Sequence, residues 1–180
     1  MKKQIVNSEP QILQFILKPE DNFPNSNFPV LIYKKALLFA KEETEAGATA
    51  EEIFRENDWG NNWQNGIYDF HHFHSNTHEA LAIARGNVEV ILGGPDGRKV
   101  AMHAGDVIVI PAGVAHKRLS ASPDFLCVGG YPRGKDYDIC RGKANEFEAA
   151  LKTTQQIAAP DTDPVYGKEG FIKKYWEASL

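Results

Sequence analysis

Cysteine is nearly absent from this chain, with Cys127 and Cys140 the two among 180 residues. Two thiols are too few to staple a domain of this size, so the fold has to rest on a packed core. Cys127 reads as a buried thiol on a strand and Cys140 as an ordinary loop thiol. Long apolar runs are lacking as well. Nothing approaches the roughly 20 residues of a membrane-spanning helix. The basic start Met1-Lys2-Lys3 meets Glu9 and Pro10 before the apolar stretch of a signal peptide can form. A cytoplasmic protein is expected. Basic excess is also missing: 20 Lys and Arg stand against 24 Asp and Glu, a net charge of -4. With no basic stripe and no added helix-turn-helix, neither nucleic acid nor an anionic membrane is an expected partner. No internal repeat or low-complexity run appears, so a single copy of one fold is expected.

What is present is a hydrophobic share of 42% in 180 residues. A chain of that length buries roughly 70% of its unfolded surface, enough for one full core.

Five of the six histidines fall within two short segments, Gly66 to Gly86 and Gly105 to His116. Side chains two apart on a strand point to the same face, so His72 and His74 can reach one point. Ser75-Asn76-Thr77 reads as a turn, and a strand from Glu79 running back beside the first would bring a carboxylate level with the two imidazoles. His116 follows a second apolar strand, Val107 to Ile110, opened by Gly105 and closed by Pro111-Ala112-Gly113. Three neutral imidazoles and one carboxylate suit a divalent transition metal, with about two positions open if it is octahedral. Zinc would use fewer.

At these residues the chain resembles the cupin superfamily. Gly66, His72, His74, Glu79 and Gly86 meet the spacing of its first motif, and Gly105, Pro111, Gly113 and His116 that of its second. Ser120 departs from the family, which often has Asn there, at a position apart from the ligands. The resemblance implies an all-β fold, the cupin double-stranded β-helix or jelly-roll barrel with a few flanking helices. Its extent would be a single cupin domain over 1–180, with the barrel core at about 63–131, N-terminal strands and a helix in 1–62, and a C-terminal helix and docking tail in 132–180. It also implies His72, His74, Glu79 and His116 as ligands of iron, manganese, nickel or zinc, and a homodimer. Asn57-Asp58-Trp59, Trp63-Gln64-Asn65-Gly66, His71 to Ser75 and Thr162 to Gly167 are similar to a family of small bacterial cupins with no settled activity.

Tyr68 and Phe70 share the strand parity of His72 and His74, so they either line the barrel mouth or fill its base as core packing. His71, on the opposite parity, should face away, and His103 should be exposed. His78 immediately precedes Glu79, so both cannot point inward; His78 is the substitute ligand if Glu79 is not one, and otherwise a candidate base together with Tyr68. Arg118 shares the parity of His116 and would hold a carboxylate if it faced the cavity. Leu81 and Ile83 should point inward with Glu79, while Ala80, Ala82 and Ala84 form a small-residue face suited to packing on another sheet.

Elsewhere, residues 4–17 suit an outer strand, Asp21 to Pro29 a loop, and Val30 to Tyr33 and Ala36 to Ala40 short buried strands or a strand and a turn. Thr49 and Glu52 form a capping-box pattern for a helix that ends before Gly60. Val88 to Leu92 and Arg98 to Met102 form a hairpin, and Phe125 to Gly130 a closing strand. Asn145 to Ala158 is an amphipathic helix, and Asp161 to Leu180 should lie across the barrel on Val165, Tyr166, Phe171, Tyr175 and Trp176.

These features lead to the expectation of a metal-dependent enzyme acting on a small polar or acidic organic molecule, of dioxygenase, isomerase or decarboxylase type. A non-enzymatic small-molecule or metal-binding module explains the same motifs without turnover.

Overall fold

The structure, a computed structural model, describes residues 5–40 and 44–177. The two ends of the expected N- and C-terminal segments, 1–4 and 178–180, lie outside the described residues, as do 41–43. Nine strands form two antiparallel sheets. They are β1 Gln11–Leu17, β2 Ser26–Lys34, β3 Trp59–Asn65, β4 Glu79–Arg85, β5 Asn87–Leu92, β6 Arg98–His103, β7 Val107–Ile110, β8 His116–Ala121 and β9 Leu126–Pro132. The larger sheet has the order β1-β2-β7-β4-β9-β3 and the smaller β6-β5-β8. Their facing sides enclose one apolar core that includes Val30, Ile32, Leu81, Ile83, Val88, Val90, Leu92, Met102, Ile108, Ile110 and Cys127. This is the jelly-roll barrel that the motifs imply. Among the described residues no helix is long and apolar enough to cross a membrane.

A second core lies on the outer face of the larger sheet. Helices α1 Ala46–Glu56 and α3 Phe171–Trp176 bring Ala50, Ile53, Phe54, Ile172 and Trp176 against Ala80, Ala82 and Ala84. The alanine face therefore packs on the chain's own helical layer. The sequence pattern shows that something must come close to these alanines, and cannot show that it is a helix rather than another sheet. The third helix, α2 Phe147–Gln155, follows a short 3-10 turn over Ala144–Glu146.

Two local expectations are revised and a third is narrowed to a strand and a turn. Helix α1 begins at Ala46 after Glu45, so Thr49 sits in its first turn and donates its backbone N–H to Glu45 O at 2.9 Å; the Thr49–Glu52 box caps nothing. Part of the expected loop 21–29 is strand, since β2 starts at Ser26. Its pairing with β1 shifts between Phe15 and Leu17, opposite the stretch that holds Pro29, so the missing proline N–H is placed at an irregularity in the ladder. Of Ala36 to Ala40, the residue that pairs is Leu37, in an isolated bridge to Val6.

The C-terminal segment is pinned by Asp163. Its buried carboxylate accepts bonds from the Tyr33 hydroxyl at 2.6 Å and from the backbone N–H groups of Val165, Tyr166 and Ile172 at 2.9, 3.0 and 3.3 Å. These bonds close a turn and anchor it to β2.

Candidate metal centre

His72 and His74 lie on an extended segment that is not a regular strand and does not pair with β4. His72 instead bridges His116, the first residue of β8, through N–H···O bonds of 3.2 and 2.9 Å, and Phe73 bridges Cys140. Residues 75–78 then cross to the other sheet, where Glu79 opens β4 between β7 and β9. The expected hairpin is thus replaced by a crossing between sheets. The convergence of side chains survives, because parity along an extended segment does not depend on which strand it pairs with.

Gly113 fixes the crossing from below. It takes φ +92°, its N–H bonds His74 O at 2.8 Å, and a Cβ there would stand 2.4 Å from Asn25 O. A side chain at this position would collide with the Asn25 backbone and strain the turn that holds His74 O.

One ring nitrogen of each histidine is already committed. His72 Nδ1 and His116 Nδ1 lie 3.0 Å from the carbonyls of Phe70 and Val114, and His74 Nδ1 contacts the carbonyl of Asp138. A carbonyl can only accept, so each Nδ1 carries the hydrogen and each Nε2 presents a lone pair. Glu79 Oε2 lies 3.3 Å from His74 Nε2 and 3.1 Å from His116 Nε2 and has no hydrogen-bond donor. One ligand atom from each of the three imidazoles falls within 4.8 Å of the others. All four residues are buried. Converging acceptors without a donor repel one another unless a cation lies among them. The donor set therefore fits a divalent transition metal.

Charge shifts follow the same geometry. Burial would raise the Glu79 carboxyl, but His74 and His116 outweigh it and hold the group well below the usual carboxylate range. Burial lowers His72 to about 3, helped by the neighbouring His116, so its imidazole is neutral near pH 7. For His74 burial also lowers the pKa, yet Glu79 overrides it and the net shift is upward.

Above this cluster a cavity of about 170 Å³ is lined by Trp63, Asn65, Ile67, Tyr68, Leu81, Tyr131 and Tyr137, with His72, His74, Glu79 and His116 at its floor. Tyr68 is 47% exposed and meets the His72 ring edge-on at 5.1 Å. It stacks on Phe70, whose other neighbour is the Arg141 guanidinium, 3.7 Å from the ring centroid. Arg118 is not among the lining residues. It is half-buried on β8 and donates its backbone N–H to Tyr68 O.

His78 sits elsewhere. Its Nδ1 accepts the Ala112 N–H at 2.9 Å, its Nε2 donates to Ala158 O at 2.9 Å, and its ring lies 4.7 Å from that of Trp176. Burial lowers its pKa to about 4. With both nitrogens engaged in the outer layer, it cannot replace Glu79 or act as a base at the cavity. His78→Ala should leave metal content unchanged while lowering stability by about 2 kcal/mol, since the Ala112 N–H and Ala158 O lose buried partners; elemental analysis and urea unfolding measure the two together. His103 is exposed, and His71 is half-buried against Phe23 at 5.7 Å.

Three site residues went unnoticed in the sequence, the cavity-lining Tyr137 and two that hold the cluster in place. Tyr131 donates its hydroxyl to Glu79 Oε1 at 2.8 Å, and Asp138, besides fixing His74, accepts from the backbone N–H and hydroxyl of Ser75. Both lie far along the chain from the histidines, in a segment that reads as the barrel's exit.

Comparison with known proteins places the chain in a family. The family model described as "Cupin domain" matches residues 64–124. A curated relative, the uncharacterized protein YjlB of Bacillus subtilis (strain 168), is 41% identical over 160 residues, covering 88% of this chain and 93% of its own. The chain is a cupin. Among solved structures, this cupin is similar to a DUF861 family protein of Thermotoga maritima at 23% identity, covering 57% of this chain and 98% of that one, with a TM-score of 0.34. It is also similar to the acireductone dioxygenase of Bacillus anthracis with a cadmium ion in its active centre, at 14% identity over 67% and 77% of the two chains and a TM-score of 0.38. Neither likeness says more than fold.

Proposed function

We propose that this cupin is a metal-dependent enzyme acting on a small polar or acidic organic molecule, with His72, His74, Glu79 and His116 holding iron, manganese, nickel or zinc. The observation that supports it is the buried cluster of three Nε2 lone pairs and one donorless carboxylate oxygen at the floor of a cavity. A metal bound there would supply Lewis acidity, or an oxygen-binding centre if it is iron.

The chain's own residues set the rest. The cavity of about 170 Å³ has room for a molecule of roughly six non-hydrogen atoms, taking about 30 Å³ per water as the measure. Aromatic walls from Trp63, Tyr68, Tyr131 and Tyr137 suit a compact or planar substrate. Among the described residues the lining has no Lys or Arg, so an acidic substrate would meet its counter-charge at the metal. The lining also offers no carboxylate or imidazole beyond the proposed ligands. Proton movement would then fall to the phenols of Tyr68 and Tyr137, which favours dioxygenase, isomerase or decarboxylase chemistry over hydrolysis by a separate base. Arg118 would take part only by turning its side chain toward the mouth.

That shortage of acid–base groups is also what favours the second reading, a binding module that holds a metal or small ligand without turnover. As an assembly we propose a homodimer in the cytoplasm; because the alanine face is covered by α1, the subunits would meet on another surface.

The deciding experiment is elemental analysis of protein purified without a metal-chelating tag, beside the His72→Ala/His74→Ala variant. Near-stoichiometric transition metal in the first and none in the second is expected. A protein that stays metal-free after reconstitution with each ion would sink the ligand set. Metal without turnover across small oxo-acids, enols and polyols would move the assignment to the binding module.

A further inference from the structure

The geometry points to Tyr131, backed by Trp63, as the positioning residue that keeps Glu79 a one-oxygen ligand and so holds a coordination position open for substrate. This inference rests on the metal-site reading above. Tyr131 extends β9 one step beyond the Ala80–Gly130 pair and stands beside Glu79 across the sheet. Trp63, on β3, flanks it from the other side, paired with Gly129.

The hydrogen-bond directions in this chain of groups are fixed by chemistry. An indole N–H can only donate, so Trp63 Nε1 gives its hydrogen to the Tyr131 oxygen at 2.9 Å. The phenol has one hydrogen, and the ionised carboxylate can only accept, so Tyr131 gives it to Glu79 Oε1 at 2.8 Å. Oε1 is thereby turned away from the imidazoles while Oε2 faces them, 3.1 and 3.3 Å from two Nε2 atoms. Tyr131 itself cannot swing aside, because it is 1% exposed and stacked on Tyr137 with the rings 4.6 Å apart.

The consequence is a matter of counting. A carboxylate free to chelate gives two oxygens to a metal, whereas one tied by a phenol gives a single oxygen. With three imidazoles and one oxygen, an octahedral ion keeps about two positions for water or substrate; with both oxygens it keeps about one. Two positions let a substrate chelate, or let substrate and a second reactant bind together. Tyr131 never needs to touch the substrate to have this effect.

The test uses the whole chain loaded with Mn²⁺, whose bound waters are read from the relaxation of solvent protons. Tyr131→Phe should still bind Mn²⁺, and its relaxation enhancement should fall by roughly half as Glu79 takes the second position. An enhancement equal to that of the unaltered protein would overturn the inference. Should Tyr131→Phe fail to fold, the Mn²⁺-loaded crystal structure of the unaltered protein decides: Glu79 Oε1 on Tyr131 supports it, and both oxygens on the metal overturn it. A protein that takes up neither Mn²⁺ nor any of the other proposed ions overturns the metal reading and this inference with it, whereas Mn²⁺ uptake with unchanged water overturns this inference alone.

Discussion

Stripped of its metal, the protein should melt about 10 °C lower than when loaded. A ligand present at about a thousandfold its dissociation constant stabilises the folded state by about 4 kcal/mol, and at this chain length each kcal/mol moves the midpoint by roughly 2–4 °C. The effect should be this large because the metal-free cluster is itself unfavourable. Three imidazoles and Glu79 Oε2 face one another in a buried site, where the carboxylate oxygen has no hydrogen-bond partner. Melting with excess Mn²⁺ or Zn²⁺, against the same protein in chelator, measures the difference. Glu79→Gln replaces an anionic oxygen with an amide that can donate to the imidazoles, so its melting point should respond weakly to metal. A melting point that ignores metal in the unaltered protein would mean that the cluster holds no ion.

Much of the side-chain cluster could be read in advance, because its residues come from two short stretches whose spacing reflects local geometry. Parity placed His72 beside His74, and Glu79 with Leu81 and Ile83 on the inward face, whatever those segments pair with. Pairing was the weak point. An apolar strand after a turn is equally compatible with a hairpin and with a crossing to the opposite sheet, and only the whole barrel decides that β4 joins β7 and β9. His78 and Tyr131 show the same limit from two sides. His78 neighbours Glu79 in sequence yet spends its nitrogens on Ala112 and Ala158 in the outer layer. Tyr131 is 52 residues from Glu79 and holds its second oxygen. Groups that tune a ligand are selected by proximity in space, and a lone tyrosine at the end of a strand leaves no local mark.

Trp176→Ala should cost about 4 kcal/mol, the range for truncating a buried tryptophan, while leaving metal content in the folded protein unchanged. Trp176 is fully buried; its ring stacks on Phe28 at 4.8 Å and meets His78 at 4.7 Å, and its Nε1 donates to Pro29 O at 2.9 Å. Those three partners belong to β2 and to the segment just before β4, so the tryptophan fastens the C-terminal segment over the outer face of the larger sheet. Removing the ring leaves a void and an unsatisfied Pro29 carbonyl in a layer that the barrel interior does not share. Urea unfolding gives the stability change, and elemental analysis below the transition gives the metal. Trp176→Phe should lose about 1–2 kcal/mol, because it keeps most of the packing and forfeits the bond to Pro29. A loss under about 1 kcal/mol in Trp176→Ala would show that the C-terminal segment unfolds on its own. Loss of metal in the folded variant would show that the outer layer sets the ligand geometry through β4, and that the two cores act as one.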